Sequence, residues 1–457
     1  MSTPPIPSPT RRFDFSLTRQ IMALTVPIAL TRQLDNIVGT ADIFMVSHLG
    51  PAAISAVGIS RTIVMVISVT MIAITTGTFT LVAQAIGAND PMRASSASKQ
   101  SFTLLSVLSI FLSLIGIFSA PHMLRALSLA PDVVEEATPY LRVFFSGSVL
   151  MTLNFAITTC LQAAGDTRTP FYIGLFNNGT KVIVGYLLIF GIWGLPEMGV
   201  VGAAIGGLVG RGVGVIAGFA VLYSGRFGIA LLPGTSYLPE WIMSKRILKI
   251  GIPSALQGLL RNGSGVVFVK LVAMTSASTT AVAAFSIGNQ IERFLRQISL
   301  SFGTAATAIV GQGLGANKPD EAESRGWTAL AISIFIVTIL GLPIALFARP
   351  ILQFFTDAPD VIQMGIIYLY AIVLAEPFSC AAMVSGGALR GAGDTMPALY
   401  YTLISQWIIR LPAAAFLAFY MGYDINGIWA SLVIFSILQG YLTVRKFAQG
   451  DWKTREI

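Results

Sequence analysis

Apolar stretches of about twenty residues recur from one end of this 457-residue chain to the other. They fall at 17–47, 53–86, 96–119, 136–163, 169–191, 199–224, 247–275, 280–312, 324–348, 362–389, 396–420 and 426–447. In lipid each stretch must pair its own backbone polar groups, so it crosses as an α-helix. The composition agrees: 54% of residues are hydrophobic and only 11% charged, where a soluble domain carries about 25% charged. A transmembrane barrel would need short alternating segments instead. The expectation is an all-α integral membrane protein with about twelve transmembrane helices.

Loop charges set the orientation. One face collects Arg11, Arg12 and Arg19, then Arg93 and Lys99, Arg168, and Arg226, Lys245, Arg246 and Lys249. Lys318, Arg325, Arg390 and the tail residues Arg445, Lys446, Lys453 and Arg455 join them, against Arg125 and Arg349 on the other face. The basic face is read as cytoplasmic, with both termini inside. The net charge of +8 thus resolves into membrane topology, and no nucleic-acid partner is expected. Cys160 and Cys380 both lie in predicted spans, which argues against a disulfide framework or a metal site.

The chain repeats itself. Leu81–Ala94, LVAQAIGANDPMRA, returns as Ile309–Ala322, IVGQGLGANKPDEA; Gln84, Gly87, Asn89 and Pro91 match Gln312, Gly315, Asn317 and Pro319, each 228 residues on. Leu161–Thr167, LQAAGDT, returns as Leu389–Thr395, LRGAGDT, at the same offset. Pro27 returns as Pro253 with a two-residue slip. Generic turn chemistry explains each motif alone but not the shared spacing. The expected domains are a tail at 1–16, a six-helix bundle at 17–224, a linker at 225–246, a second bundle at 247–447 and a tail at 448–457. Six spans per half give both halves the same orientation, so the pseudo-twofold runs along the membrane normal.

Charges inside the spans are costly and mark function by default. Asp35 and Asp42 lie seven apart on the first helix, about two turns, and so share a face. Asp35 either lines a cavity or pairs with Arg32 three residues back. Asn36, Arg61, Asn177, Asn178, Lys270, Glu292 and Glu376 are read as lining a substrate cavity, and Lys181 and Arg410 also lie at depth. Lys270 falls near the repeat counterpart of Asp42, and Glu292 and Arg296 are spaced to pair along one helix. Glycines at 202, 206, 207, 210, 212 and 214 give the sixth span a close-packing face. Asp166 and Asp394 are placed to cap the helices that follow the GDT turns. No GxxxxGK[ST], no Ser-His-Asp set and no metal-spaced His/Cys cluster occurs, so neither enzyme nor cofactor is indicated.

The motifs in this order resemble those of the multidrug and toxic compound extrusion (MATE) family, in its damage-inducible-protein-F-like branch. The carriers are TADIFMVSHLG (Thr40–Gly50), QAIGAND, GQGLGANKP, the two AGDT turns and YLLIFGIWGLPEMGVVGAAIG (Tyr186–Gly206). The resemblance spans essentially the whole chain. It implies two six-helix bundles opening alternately to either side of a bacterial inner membrane, in a monomer. It also implies export of small organic compounds in exchange for H⁺ or Na⁺, with Asp42 as the acidic coupling residue. A carboxylate suits that task because it takes up and releases one proton as its surroundings change.

The chain departs from this pattern in the fifth span. Relatives of this branch often carry an Asn and an Asp four apart where this chain has Lys181 and Gly185. The expectation is that Lys181 pairs with Asp42 in one state, with Asp35 assisting. Glu292 and Glu376 are the alternative coupling site. So many cations point the cavity toward zwitterionic or anionic compounds unless they are fully paired. The rival reading is a flippase for a lipid-linked precursor.

Overall fold

The computed structural model describes residues 15–126, 129–226 and 228–454, and within them every side chain except those of 15, 52 and 61–67. The Arg61 side chain, with Arg11, Arg12 and Arg455, therefore lies outside the described residues. Those described form α-helices without strands. The rods are α1 (Phe15–Ser47), α2 (Pro51–Gly87), α3 (Pro91–Ala126), α4 (Pro131–Ser146) with α5 (Ser148–Ala163), α6 (Arg168–Phe190) and α7 (Gly199–Ser224). The second half adds α8 (Trp241–Ala273), α9 (Ser278–Gly315), α10 (Pro319–Leu346) with the short α11 (Ala348–Gln353), and α12 (Pro359–Gly391). It closes with α13 (Met396–Thr402), which runs through α14 (Leu411–Ala415) as one rod, and α15 (Asp424–Gln449). α4 and α5 form one rod bent by 50°. Proline opens α2, α3, α4, α10 and α12, a position where its missing N–H costs nothing.

Eight rods are long and apolar enough to cross a membrane, and nine when the bent pair is counted. The three that fall short of that apolarity are α1, α8 and α9. They are also the rods that carry Arg32, Asp35 and Asp42, then Arg261 and Lys270, then Glu292, Arg293 and Arg296. Their 33, 33 and 38 residues are ample for a hydrocarbon core of about 30 Å at about 1.5 Å per residue. Charge, not length, separates them from the others.

The two bundles are related by a pseudo-twofold whose contacts are visible atom by atom. Asn89 and Asn317 both take left-handed backbone, φ +53° and +56°, and Gly165 and Gly393 do likewise at +90° and +75°. These are the residue types that tolerate that conformation. At the end of the molecule holding these turns, α2 crosses α9. A Cβ on Gly87 would sit 2.0 Å from the Gln312 carbonyl oxygen, and one on Gly315 would sit 1.9 Å from that of Gln84. Gln84 Nε2 donates to Gly391 O at 3.1 Å and Gln312 Nε2 donates to Ala163 O at 2.8 Å. Positions 163 and 391 are again 228 apart, so the repeat in the letters is a symmetry in space.

The first helix of each half leans onto the other half at this turn end. Ile21 of α1 packs with Phe302, Ala306 and Val384. Ile247 and Ile250 of α8 join the core built on Leu81, Phe102 and Leu161. Gly251 brings α8 against the Ala73 carbonyl of α2, and Gly77 brings α2 against that of Ile247. The segment between the halves is strapped to α3. Lys99, 4% exposed, donates to Leu232 O at 2.7 Å and Thr235 O at 2.9 Å, and Gln100 donates to Leu238 O at 2.6 Å. Two residues assigned to basic loops on charge alone lie within helices instead: Lys99 in α3, buried against the linker, and Arg390 half-buried in the last turn of α12. The Lys99 head finds its acceptors inside the protein.

Candidate functional site

The α6–α7 seam sets the position of the central pair. Gly202, Gly206 and Gly210 recur every four residues on α7 and let its backbone approach α6. A Cβ on Gly206 would lie 2.6 Å from Gly185 Cα, and one on Gly210 would lie 2.5 Å from Asn177 O. This contact holds α6 so that Lys181 and Asn178 face α1. Asn177 itself packs into the seam rather than facing α1.

Lys181 Nζ donates to Asp42 Oδ2 at 2.5 Å. The pair is largely enclosed, with side-chain exposures of 23% and 13%. Asp35, two turns earlier on the same face, accepts from Asn178 Nδ2 at 2.8 Å. Of the two readings open for Asp35, the Arg32 pair is not the one formed. Arg32 Nη2 instead reaches across the halves to Thr304 Oγ1 at 3.4 Å. Asn36 is exposed beside this cluster. Gly185 has no atom within 4 Å of its Cβ position, so the space for a second acid is present and empty of side chain.

The second half repeats the geometry with other chemistry. The Pro27–Pro253 slip puts Phe268, rather than Lys270, in the place of Asp42. Lys270 lies in the last turn of α8 and is exposed. Lys181 projects by the 228 offset onto Ile409, and the π-helical stretch Leu403–Arg410 adds the one residue that brings Arg410 there. Arg410 Cζ sits 3.9 Å from the Phe268 ring centre and 4.7 Å from that of Phe435. A carboxylate–ammonium pair in the first half thus corresponds to a phenyl–guanidinium stack in the second. The second half's carboxylates are engaged locally. Glu292 Oε1 accepts from Arg296 Nη1 at 2.7 Å, and Glu292 Oε2 accepts from the Tyr368 hydroxyl at 2.7 Å. Glu376, 4% exposed, accepts from Ser299 Oγ at 2.9 Å. Sequence reasoning had no signal for Tyr368, Ser299 or Thr304, because an uncharged residue in an apolar span looks like any packing residue.

Duplicated bundles, lipid-length rods and intramembrane charges gathered on α1, α6, α8 and α9 define a polytopic helical membrane transporter. The MatE family model matches residues 27–187 and 253–416, one match in each half. A probable multidrug resistance protein, NorM, of Thermotoga maritima is 28% identical over 96% of this chain and 94% of its own. An uncharacterized transporter of Bacillus subtilis, YisQ, is 25% identical, covering 95% of each chain. Among solved structures, a mutant of the Vibrio cholerae MATE transporter VcmN superposes with TM-score 0.87 at 20% identity, over 96% of this chain and 99% of that one. The chain belongs to the MatE family.

Proposed function

We propose that this protein exports small organic compounds across a bacterial inner membrane by cation-coupled antiport. The bundles at 17–224 and 247–447 open alternately to either face, with both termini cytoplasmic. The observation that carries this reading is the Asp42–Lys181 pair, a place where the two halves differ in chemistry while sharing geometry. Protonation of Asp42 removes the charge that holds Lys181 and frees α1 from α6; deprotonation restores the contact. A ligand that binds one charge state of this pair better than the other is what couples the gradient to the tilt.

Two features favour H⁺ over Na⁺ as the driving ion. An ammonium already occupies the carboxylate oxygen that Na⁺ would need. The second acid that would complete an oxygen cage is Gly185 here. Asp35 and Asn178 lie beside the pair and tie the same two helices together.

The test is export from proteoliposomes under an imposed pH gradient, then under a Na⁺ gradient. Asp42→Asn abolishes gradient-driven export while equilibrium binding of the exported compound persists. Lys181→Met leaves the Asp42 carboxylate without its cation and lowers coupled export about tenfold or more, the loss of one charge-assisted hydrogen bond. Full export by Asp42→Asn removes this mechanism.

A further inference from the structure

About 15 Å along α1 from Asp42, a second charged group lies between the bundles. Arg32 of α1 and Arg390 of α12 approach consecutive residues of α9. Arg32 Nη2 contacts Thr304, and Arg390 Nη2 lies 3.8 Å from the Cβ position of Gly303. Arg390 is within electrostatic reach of both Arg32 and Arg261, and Arg261 of Arg296. Arg261 is exposed on α8. It stands where the first half has Asp35, so the repeat has reversed its charge there.

Asp35 lies within electrostatic reach of Arg32, whereas the charges that reach Arg261 and Arg390 are those of other arginines. The nearby carboxylates are engaged: Asp42 with Lys181, Glu292 with Arg296, Asp35 with Asn178 and Glu376 with Ser299. Among the described residues Arg32, Arg261 and Arg390 take part in no ion pair. Arg32 Nε is buried with no hydrogen-bond partner. Each guanidinium offers five N–H donors, and the side-chain contact formed among the three is the one to Thr304. Like charges held together at this depth repel strongly and persist where something compensates them. Arginine forks match planar or tetrahedral oxyanions bidentately. The Trp407 indole is fixed on α8 at the level of Arg261 by its Nε1–H to Leu260 O at 2.9 Å and lies against Gly263, a rigid apolar plate within one turn of Arg261 along that helix.

We propose that Arg32, Arg261 and Arg390 form an anion site that binds the carboxylate, sulfonate or phosphate group of an organic substrate whose apolar body lies against Trp407. This rests on the transporter reading and names the substrate class for it. The same oxyanion chemistry has a second source, the phosphate of an anionic lipid, and the experiment separates the two.

The full-length protein is placed in nanodiscs of zwitterionic lipid, and binding of p-aminohippurate is measured with and without added phosphatidylglycerol. The expected result is saturable p-aminohippurate binding that persists with phosphatidylglycerol present. Arg261→Gln and Arg390→Gln each weaken it about tenfold or more, and Arg261→Lys weakens it less. The glutamine variants relieve mutual repulsion, so they melt no lower than the parent, which separates lost binding from lost folding. Equal affinity in parent and glutamine variants overturns the proposal, as does absence of saturable binding. Phosphatidylglycerol that p-aminohippurate cannot displace also overturns it and points to lipid as the occupant. Proteoliposomes with a pH gradient distinguish the two readings. Export of tetraphenylphosphonium without p-aminohippurate binding sinks the anion site alone. Binding of p-aminohippurate without gradient-driven movement of either compound sinks the antiport alone.

Discussion

At the scale of single residues, this protein uses cations in three different ways. Lys181 answers a carboxylate across a helix seam. Arg410 is held between two phenyl rings. Lys99 caps two carbonyls of the segment between the bundles. The last is the cleanest to test, because it stands apart from the central charges. Lys99→Met removes two charge-assisted hydrogen bonds and leaves both carbonyls unanswered, a cost of about 2–3 kcal/mol. The expected outcome is faster tryptic cleavage after Arg226, read on gels, with cleavage elsewhere unchanged. Among these roles, sequence indicated that Lys181 and Arg410 sit at depth. It misplaced Lys99 and Arg390 as loop charges, because depth in the folded protein is decided by what packs around a residue. Letters alone place a Lys near a helix start on the surface.

At the scale of elements, the α6–α7 seam links packing to the charged pair. The glycine spacing on α7 was legible because close helix approach needs small residues at one face. What it was for was not legible, since the partner helix and its facing residue come from the fold. Gly206→Val and Gly210→Val would each place a branched side chain where α6 backbone lies within about 2.5 Å of the first carbon. Each is expected to cost about 1–3 kcal/mol and to separate Lys181 from Asp42, lowering both melting temperature and coupled export. Gly212→Val is the matched control, since its nearest neighbour is the Leu150 methyl at 3.8 Å. Equal loss from all three would mean that the whole helix resists bulk and that no special seam exists. The connecting turns show the opposite case, in which local chemistry alone decided the geometry: Asn stands at the φ-positive position after α2 and α9, and Gly after α5 and α12.

At the scale of the whole molecule, the pseudo-twofold concentrates contact between the bundles at the turn end. The Gln84 and Gln312 amides each bond a carbonyl of the other bundle. Removing both in Gln84→Ala with Gln312→Ala forfeits about 1 kcal/mol per bond. That shifts an open–closed equilibrium at this end about thirtyfold toward open. Hydrogen exchange at residues 160–166 and 388–394 should rise together, and by similar amounts because the two sites are equivalent. A rise at one site only would show that the symmetry of the letters is not a symmetry of energy. Sequence by itself determined the class, the number of long rods and their bounds to within several residues, the duplication and its offset. All of these follow from short-range rules: lipid demands closed backbone hydrogen bonding, and turns demand particular residues. The tertiary structure decided which charges meet. A helix carries its side chains around every side, and only the packing of α6 on α7, and of α1 on α6 and α9, determines that Asp42 faces Lys181 while Arg32 turns away from Asp35 toward Thr304.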